Sequence, residues 1–558
     1  MERFLYTIIT LLLLLPAGLQ AQQPLSPKYE YRAVWLTTIE NLDWPRTLVK
    51  SPGDVEAQQR ELVVVLDSLQ ALNINTVLLQ TRVRGDLIYP SRIEPFSHVF
   101  TGVEGRSPGY DPLAFAIEEC HKRGMQLHAW LVTLPIGKPE HIKRLGASSL
   151  PRKRRELCTY HKGAWYIEPG NPAAADYIAA IVGEIVDKYN VDGIHLDYVR
   201  YPDRTDGYPD ASLFRKHGNG LSLAEWRRSN ITRIAERVSD TVKQLKPWVR
   251  VSCAPLGKYR SLARYNSYDW DAYGAVFQDA QAWLRNGLMD ILFPMLYYKG
   301  DNFYPFVLDW LENSNGRHIV PGLGIYRLME QYGGWPSIEI ERQMHTSRSA
   351  NANGVILFRT AHLVGNAGGS RDIYSSVYST PALVPPMAWA AETPQSPRLV
   401  AVARDENGVS LRWSAVEAPA GHPVTRYNVY ASLNGKVDID NIDNLVSNMQ
   451  QGTAFRWDCR TVKSMSLAIT AVNAFGIESA PLFVNVPFGG EKHCGDTIVL
   501  PESLSWGQRI EVLDLRGRRL YFGKYKRNFS LTPFAPGCYI LNVYNRHGAL
   551  LESRNIVR

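Results

Sequence analysis

Between Tyr31 and about Thr360 the chain alternates short apolar runs with amphipathic segments about eight times, and no other feature limits the accessible folds so tightly. The strand-like runs are 32–36, 76–80, 126–130, 193–197, 250–254, 290–294, 318–322 and 354–358. Between them, windows such as 55–72, 113–123, 173–189, 223–245, 275–286 and 338–350 carry apolar residues at three- and four-residue spacing, the mark of a helix with one buried face. Eight strand–helix repeats in this length predict a (β/α)8 TIM barrel over residues 29–380. A doubly wound open sheet would need a Gly-rich phosphate turn after an early strand, and the sequence has none.

The 558 residues exceed one domain, and the pattern changes after Pro381. Pro381, Pro385, Pro386 and Pro394 mark a stiff linker over 381–395. Short alternating strands with regular turns follow over 396–488 and again over 489–558, which predicts two all-β sandwich modules. At the other end, Arg3, the apolar run Ile8–Leu15, Pro16, Gly18 and Ala21 form a charged–apolar–small pattern too short to span a bilayer. Residues 1–21 are therefore expected to be a cleaved signal peptide, and the protein to be exported to the periplasm, the cell surface or the medium, with no transmembrane span. In an oxidising compartment Cys459 and Cys494 could pair, whereas Cys120 and Cys253 fall on apolar faces where a free buried thiol is the default. The net charge of +8 is spread along the chain. Its one tight cluster, Arg152–Arg155, suits a solvated loop better than a polyanion site, so nucleic acid is not an expected partner.

In parallel α/β folds ligands bind at the carboxyl ends of the strands, so the residues there define the candidate site. Strand four, Gly193–Asp197, is apolar and then ends abruptly in a carboxylate followed by Arg200, Tyr201 and Pro202. The other strands lead to Arg82 and Arg84, His128 and Trp130, Tyr297, and Tyr326. This mixture of aromatic faces, Arg and His suits a sugar, whose apolar ring face stacks while its hydroxyls hydrogen-bond. Glycoside hydrolysis normally uses two carboxylates. Asp197 is the first, and Glu40, Glu168 and Asp279 are open alternatives for the second, each being more often a helix cap or loop ion pair. His128 and His195 lie inside strands and read first as packed, hydrogen-bonded rings; here they count as substrate lining. His195 points to the same side of its strand as Asp197, but no third ligand stands at matching spacing, so neither metal nor cofactor is expected.

Several motifs, taken in order, resemble the glycosyl-hydrolase-like 10 family: Arg32-Ala33-Val34-Trp35-Leu36, Pro108-Gly109-Tyr110-Asp111-Pro112-Leu113, His128-Ala129-Trp130, Pro169-Gly170-Asn171-Pro172 and Val191-Asp192-Gly193-Ile194-His195-Leu196-Asp197-Tyr198. The resemblance covers roughly 31–374 and implies a barrel related to retaining glycosidases, with the strand-four carboxylate at the site. It also implies a polysaccharide substrate, cell-wall peptidoglycan glycan strands among them. Three departures remove polar groups from the rim. Tyr198 stands where members often have a second Asp, Leu131-Val132-Thr133-Leu134 replaces Asn-Pro-Tyr-Arg, and Met295 replaces Gln. The alternative to a glycoside hydrolase is thus a non-catalytic glycan-binding protein using the same cleft. Trp413, the Tyr427/Tyr430 alternation and Asn473–Ser479 resemble a fibronectin type III module. The last segment, with Ile510–Arg518 and Gly537–Tyr544, resembles the C-terminal sorting domains of secreted Bacteroidetes proteins, which implies association with the cell envelope.

Overall fold

The computed structural model describes residues 26–558 apart from 266–269, 406–407, 419–421, 433–435, 459–463, 488–496, 501–508, 515–517, 536–537 and 546–549. The expected signal segment and the Cys459–Cys494 pair lie outside the described residues.

Each predicted strand window is occupied: β1 (Tyr31–Leu36), β2 (Thr76–Arg82), β3 (Gln126–Val132), β4 (Gly193–Asp197), β5 (Arg250–Cys253), β6 (Ile291–Leu292), β7 in two pieces (His318–Ile319 and Gly322–Leu323) and β8 (Gly354–Leu357). All their ladders are parallel, and β1 pairs with both β2 and β8. The first piece of β7 pairs with β6 and the second with β8. Pro321, which has no N–H, separates the two pieces. Val320 N bonds Leu292 O at 2.9 Å on one side, while Ile356 N bonds Pro321 O at 3.0 Å on the other. The run 318–323 therefore joins both edges of a curled parallel sheet, consistent with a (β/α)8 barrel.

Helices follow the strands as the periodicity predicts. Asp111 accepts from Leu113 N and Ala114 N, both at 3.1 Å, to cap Pro112–Lys122, and Ser222 with Glu225 forms a capping box at the start of Leu223–Leu245. The faces they bury join the strands' outer side chains in one core that includes Leu127, Ile181, Ile194 and Ile234. Inside the sheet a second set of side chains meets, with Trp35, Trp130, Phe293 and Ile356 among them. Size is matched closely there: a Cβ on Gly193 would come within 2.6 Å of the His128 ring, so only glycine fits beside that histidine.

One structure between β3 and β4 was not predicted. Pro135–Gly137, Cys158–His161 and Ala164–Ile167 form a three-stranded antiparallel rim sheet. Beyond the barrel, Leu399–Asp405, Gly408–Trp413 and Ala454–Asp458 form one antiparallel sheet and four strands from Val424 to Pro487 form another, sharing a core around Trp413, Val429 and Ile469. A further four-stranded sheet and a strand pair from Thr497 to Val557 enclose Ile510, Val512 and Leu541. Cys120, Cys158 and Cys253 are buried free thiols. Residues 152–155 are exposed, with Arg154 paired to Glu156 at 2.5 Å.

Candidate active site

A cavity of about 420 Å³ opens at the carboxyl ends of the strands. Asp197, Arg84, Trp130, Arg200, Tyr201 and Tyr297 line it, six of the residues that the sequence nominated. Asp197 is the last residue of β4 and only 6% exposed. Its Oδ2 accepts from Trp130 Nε1 at 3.2 Å, and its Oδ1 from Tyr198 N at 2.7 Å. Tyr198 sits at φ 52°, a left-handed conformation unusual for an aromatic residue. That turn brings its own N–H back onto the preceding carboxylate, and such strained residues concentrate at functional sites. Burial pushes the Asp197 carboxyl from 3.8 up to about 6, against the opposing pull of Arg200, the two hydrogen bonds and Arg84.

Around this carboxyl the wall is aromatic and cationic. Arg200 stacks on the Tyr198 ring at 4.5 Å, and its Nη1 donates to Asp203, a half-exposed carboxylate that also lines the cavity. The Nε atoms of Arg84 and Arg200 are buried with no hydrogen-bond partner among the described residues. From the rim sheet come Trp165 and Tyr166, and from the far wall Tyr297 packs on Phe358 with ring centres 5.5 Å apart. Gln80 Oε1 anchors the loop after β1, accepting from Thr38 N at 3.0 Å and Ile39 N at 2.8 Å.

The structure places the other nominated residues elsewhere. Arg82 is wholly buried, its guanidinium bridging Glu94 at 2.6–2.7 Å and donating to Thr133 O at 2.9 Å, so it ties β2 to the chain after β3. His195 sits below Asp197 in the barrel interior, bonded to Trp35 Nε1 at 3.2 Å and Ser252 Oγ at 3.0 Å, and burial holds its ring neutral. His128 is deeper still, its pKa lowered to about 3 by burial and by Arg250. Tyr326 backs the wall from behind Tyr297 at 5.9 Å.

None of the three alternatives for the second carboxylate lines the cavity. Glu40 is exposed. Asp279 caps the helix Ala280–Arg285 and accepts from Tyr259 Oη at 2.6 Å. Glu168 is buried in a turn, accepting from Gly170 N at 2.9 Å, and burial raises it to about 7. Asp203 is instead the other acid of the cavity, and its sequence signal was its place six residues after Asp197 on the same loop. Asp197 and Asp203 thus face one space with different environments, one desolvated and one half in water beside Arg200. Such a pair can divide proton donation from charge stabilisation or nucleophilic attack.

Residues 30–331 match the family described as glycosyl hydrolase-like 10. Glycosyl hydrolase YngK of Bacillus subtilis (strain 168) is 32% identical over 433 residues, covering 74% of this chain and 84% of that protein. Glycosyl hydrolase DigH of Escherichia coli (strain K12) is 30% identical over 380 residues, covering 62% of this chain and 84% of that protein. The glycoside hydrolase domain of PgaB (BpsB) from Bordetella bronchiseptica shares 16% identity at a TM-score of 0.41, over 62% of this chain and 99% of that one.

Proposed function

The chain belongs to the glycosyl hydrolase-like 10 family, and on that premise we propose that it is a glycoside hydrolase that cleaves a polysaccharide with Asp197 as proton donor and Asp203 as second carboxylate. The observation that carries this reading is the environment of Asp197: a carboxyl at a strand end, desolvated to a pKa of about 6, inside a cavity walled by aromatic rings. A carboxyl so raised holds its proton up to about pH 6, far above an ordinary aspartate, and in that protonated form can give it to the departing glycosidic oxygen. Asp203, in partial contact with water and held by Arg200, is suited to stabilise the positive charge that develops at the anomeric carbon, or to attack it. Trp130, Trp165, Tyr166 and Tyr297 offer ring faces for pyranose stacking, and Arg84 and Arg200 bring guanidinium groups to the same cavity for hydroxyls.

The substrate class includes peptidoglycan glycan strands. The apolar Ile8–Leu15 run before Ala21 supports export, and the fibronectin type III-like segment 396–488 and sorting-domain-like segment 489–558 support attachment to the envelope. Cell fractionation tests both. A second reading, a glycan-binding protein without catalysis, draws on Tyr198 in place of a second Asp and on Met295 at the rim.

The test compares wild type, Asp197→Asn and Asp203→Asn on purified peptidoglycan and a glycan panel, reading release of reducing ends and binding. Loss of about 100-fold or more in rate with binding retained is expected for Asp197→Asn, in line with removal of a general acid. Equal release by wild type and Asp197→Asn would sink the catalytic assignment. Binding without release by wild type would establish the second reading.

A further inference from the structure

Beside the cleft, two segments that the proposed chemistry does not use bring four metal-ligating side chains together. Asp86, His98 and Glu104 lie in the long excursion after β2, and His141 lies on the helix Pro139–Leu145 after the first rim strand. Each offers one ligand atom, and these four atoms lie within 4.8 Å of one another. Glu104 Oε1 is 3.1 Å from His98 Nδ1 and 3.3 Å from His141 Nδ1. Ligands about 2.0–2.1 Å from a tetrahedral ion stand roughly 3.4 Å apart, so the spacing of Glu104 to the two histidines already matches a coordination shell, and Asp86 would close in to complete it.

Two independent features point into the cluster. Asp86 is fully buried; its Oδ2 makes no well-formed hydrogen bond among the described residues, with the buried Ser97 hydroxyl beside the carboxylate and His141 Nε2 3.8 Å away. A buried carboxylate oxygen with so little hydrogen bonding is costly, and a cation would satisfy it. The second feature is the orientation of His141: its Nε2 bonds Arg84 O at 2.9 Å. Donation from Nε2 leaves the lone pair on Nδ1, facing Glu104, and a backbone carbonyl behind the distal nitrogen is the usual support of a metal-bound histidine. Glycine at 137 makes room for the ring, since a Cβ there would come within 2.8 Å of His141 Cδ2. At the outer edge, Arg144 Nε lies 3.2 Å from Glu104 Oε1 and its Nη2 3.3 Å from His141 Nδ1. That side chain is 53% exposed and can turn into water when another cation arrives. His98, 35% exposed, stands at the entrance.

We propose that Asp86, His98, Glu104 and His141 bind one divalent transition-metal ion of the zinc class, and that this site positions Arg84. Two imidazoles among the ligands favour such an ion over calcium or magnesium. The positioning role follows from backbone contacts: Asp86 Oδ1 accepts from Arg84 N at 3.0 Å while His141 holds Arg84 O, so the peptide of one cavity residue is gripped from both sides by the cluster. The ion would make that grip rigid without touching substrate. Metal binding itself does not depend on the glycosidase reading.

The test uses untagged full-length protein stripped with EDTA, incubated with zinc chloride, desalted and assayed for metal by mass spectrometry, with thermal melting in parallel. About one zinc per chain and a melting temperature raised by zinc are expected for wild type. His98→Ala and Glu104→Gln, checked for folding by circular dichroism, should retain at least tenfold less zinc and lose the thermal shift. His98 is at the surface, so its truncation tests ligation without emptying the core. Zinc-free wild type that is folded overturns the proposal, and so does equal zinc in wild type and folded His98→Ala.

Discussion

Asp197 is ionised at neutral pH only at a cost to the fold, and that cost is measurable without substrate. Its folded pKa is about 6 against an ordinary 3.8, with burial the largest cause. The folded state therefore holds its proton over a range where the unfolded chain has released it, and stability falls as pH rises from about 4 to about 6. A displacement of this size is worth at most about 3 kcal/mol. Asp197→Asn removes the ionisation while keeping the side chain's shape and one acceptor. Differential scanning calorimetry should show the variant more stable than wild type at pH 7.5 by about 1–3 kcal/mol, with the gap closing as the pH approaches 4. A constant gap across that range would mean that another group sets the pH dependence. The same residue predicts the activity profile: with Asp197 as proton donor, the rate declines as pH rises through about 6, and a decline on the acid side of 6 would instead make it the nucleophile or base.

The rim sheet shows which elements were legible in the sequence and which were not. All eight barrel strands were found from apolar runs, because each is buried on both faces and so reads as continuous hydrophobicity. The rim hairpin is short and only partly buried instead, and its turn at Lys162-Gly163 has φ of 44° and 86°, the two positive values of the tight turn that matches strand twist. The pattern Cys158–Ile167 with Lys-Gly at its centre carries that signal, but a strict strand–helix reading passes over it. Asp203 was missed for a related reason: hydrophobic period locates strands and leaves the path of a loop after Pro202 undetermined. Conversely, Arg82 was nominated because it ends β2, yet the pleat turns it away from the cavity toward Glu94. The rim sheet's Trp165, packed by Tyr160 at 5.3 Å and by Arg155 at 4.8 Å, presents a cavity wall that belongs to no barrel strand. Trp165→Ala should raise KM roughly tenfold, the equivalent of about 1.4 kcal/mol of stacking, with kcat changed less than twofold. A fall in kcat with unchanged KM would place the ring at the reacting bond instead.

The candidate cavity lies at one end of the barrel and the junction with the β-rich segment at the other. Lys28, just before β1, donates to Glu478 Oε2 at 2.6 Å, and the same carboxylate accepts from Tyr430 Oη at 2.6 Å and from Asn428. Nearby, Met387 N bonds Phe475 O at 2.9 Å and Arg250 Nη2 of β5 donates to Pro385 O at 3.3 Å. These contacts gather at the amino ends of the strands, whereas Asp197 closes a carboxyl end, so the β-rich segment braces the face away from the cavity. In barrels of this kind that face contributes stability and the opposite face contributes catalysis. Glu478 has a side chain only 7% exposed, and its loss leaves Lys28 with the more distant Asp440 at 3.7 Å. Removing one member of a buried ion pair costs about 3 kcal/mol or more. Glu478→Ala should therefore split or broaden the calorimetric transition, with a component melting several degrees below wild type, as the β-rich segment and barrel unfold more independently. Hydrolysis at 25 °C should stay within about twofold of wild type, because among the described residues the cavity lining includes none of the junction's side chains. Loss of activity in a variant whose barrel still melts at the wild-type temperature would show that the two ends are coupled through the strands, and would make the β-rich segment part of the catalytic apparatus and not only its support.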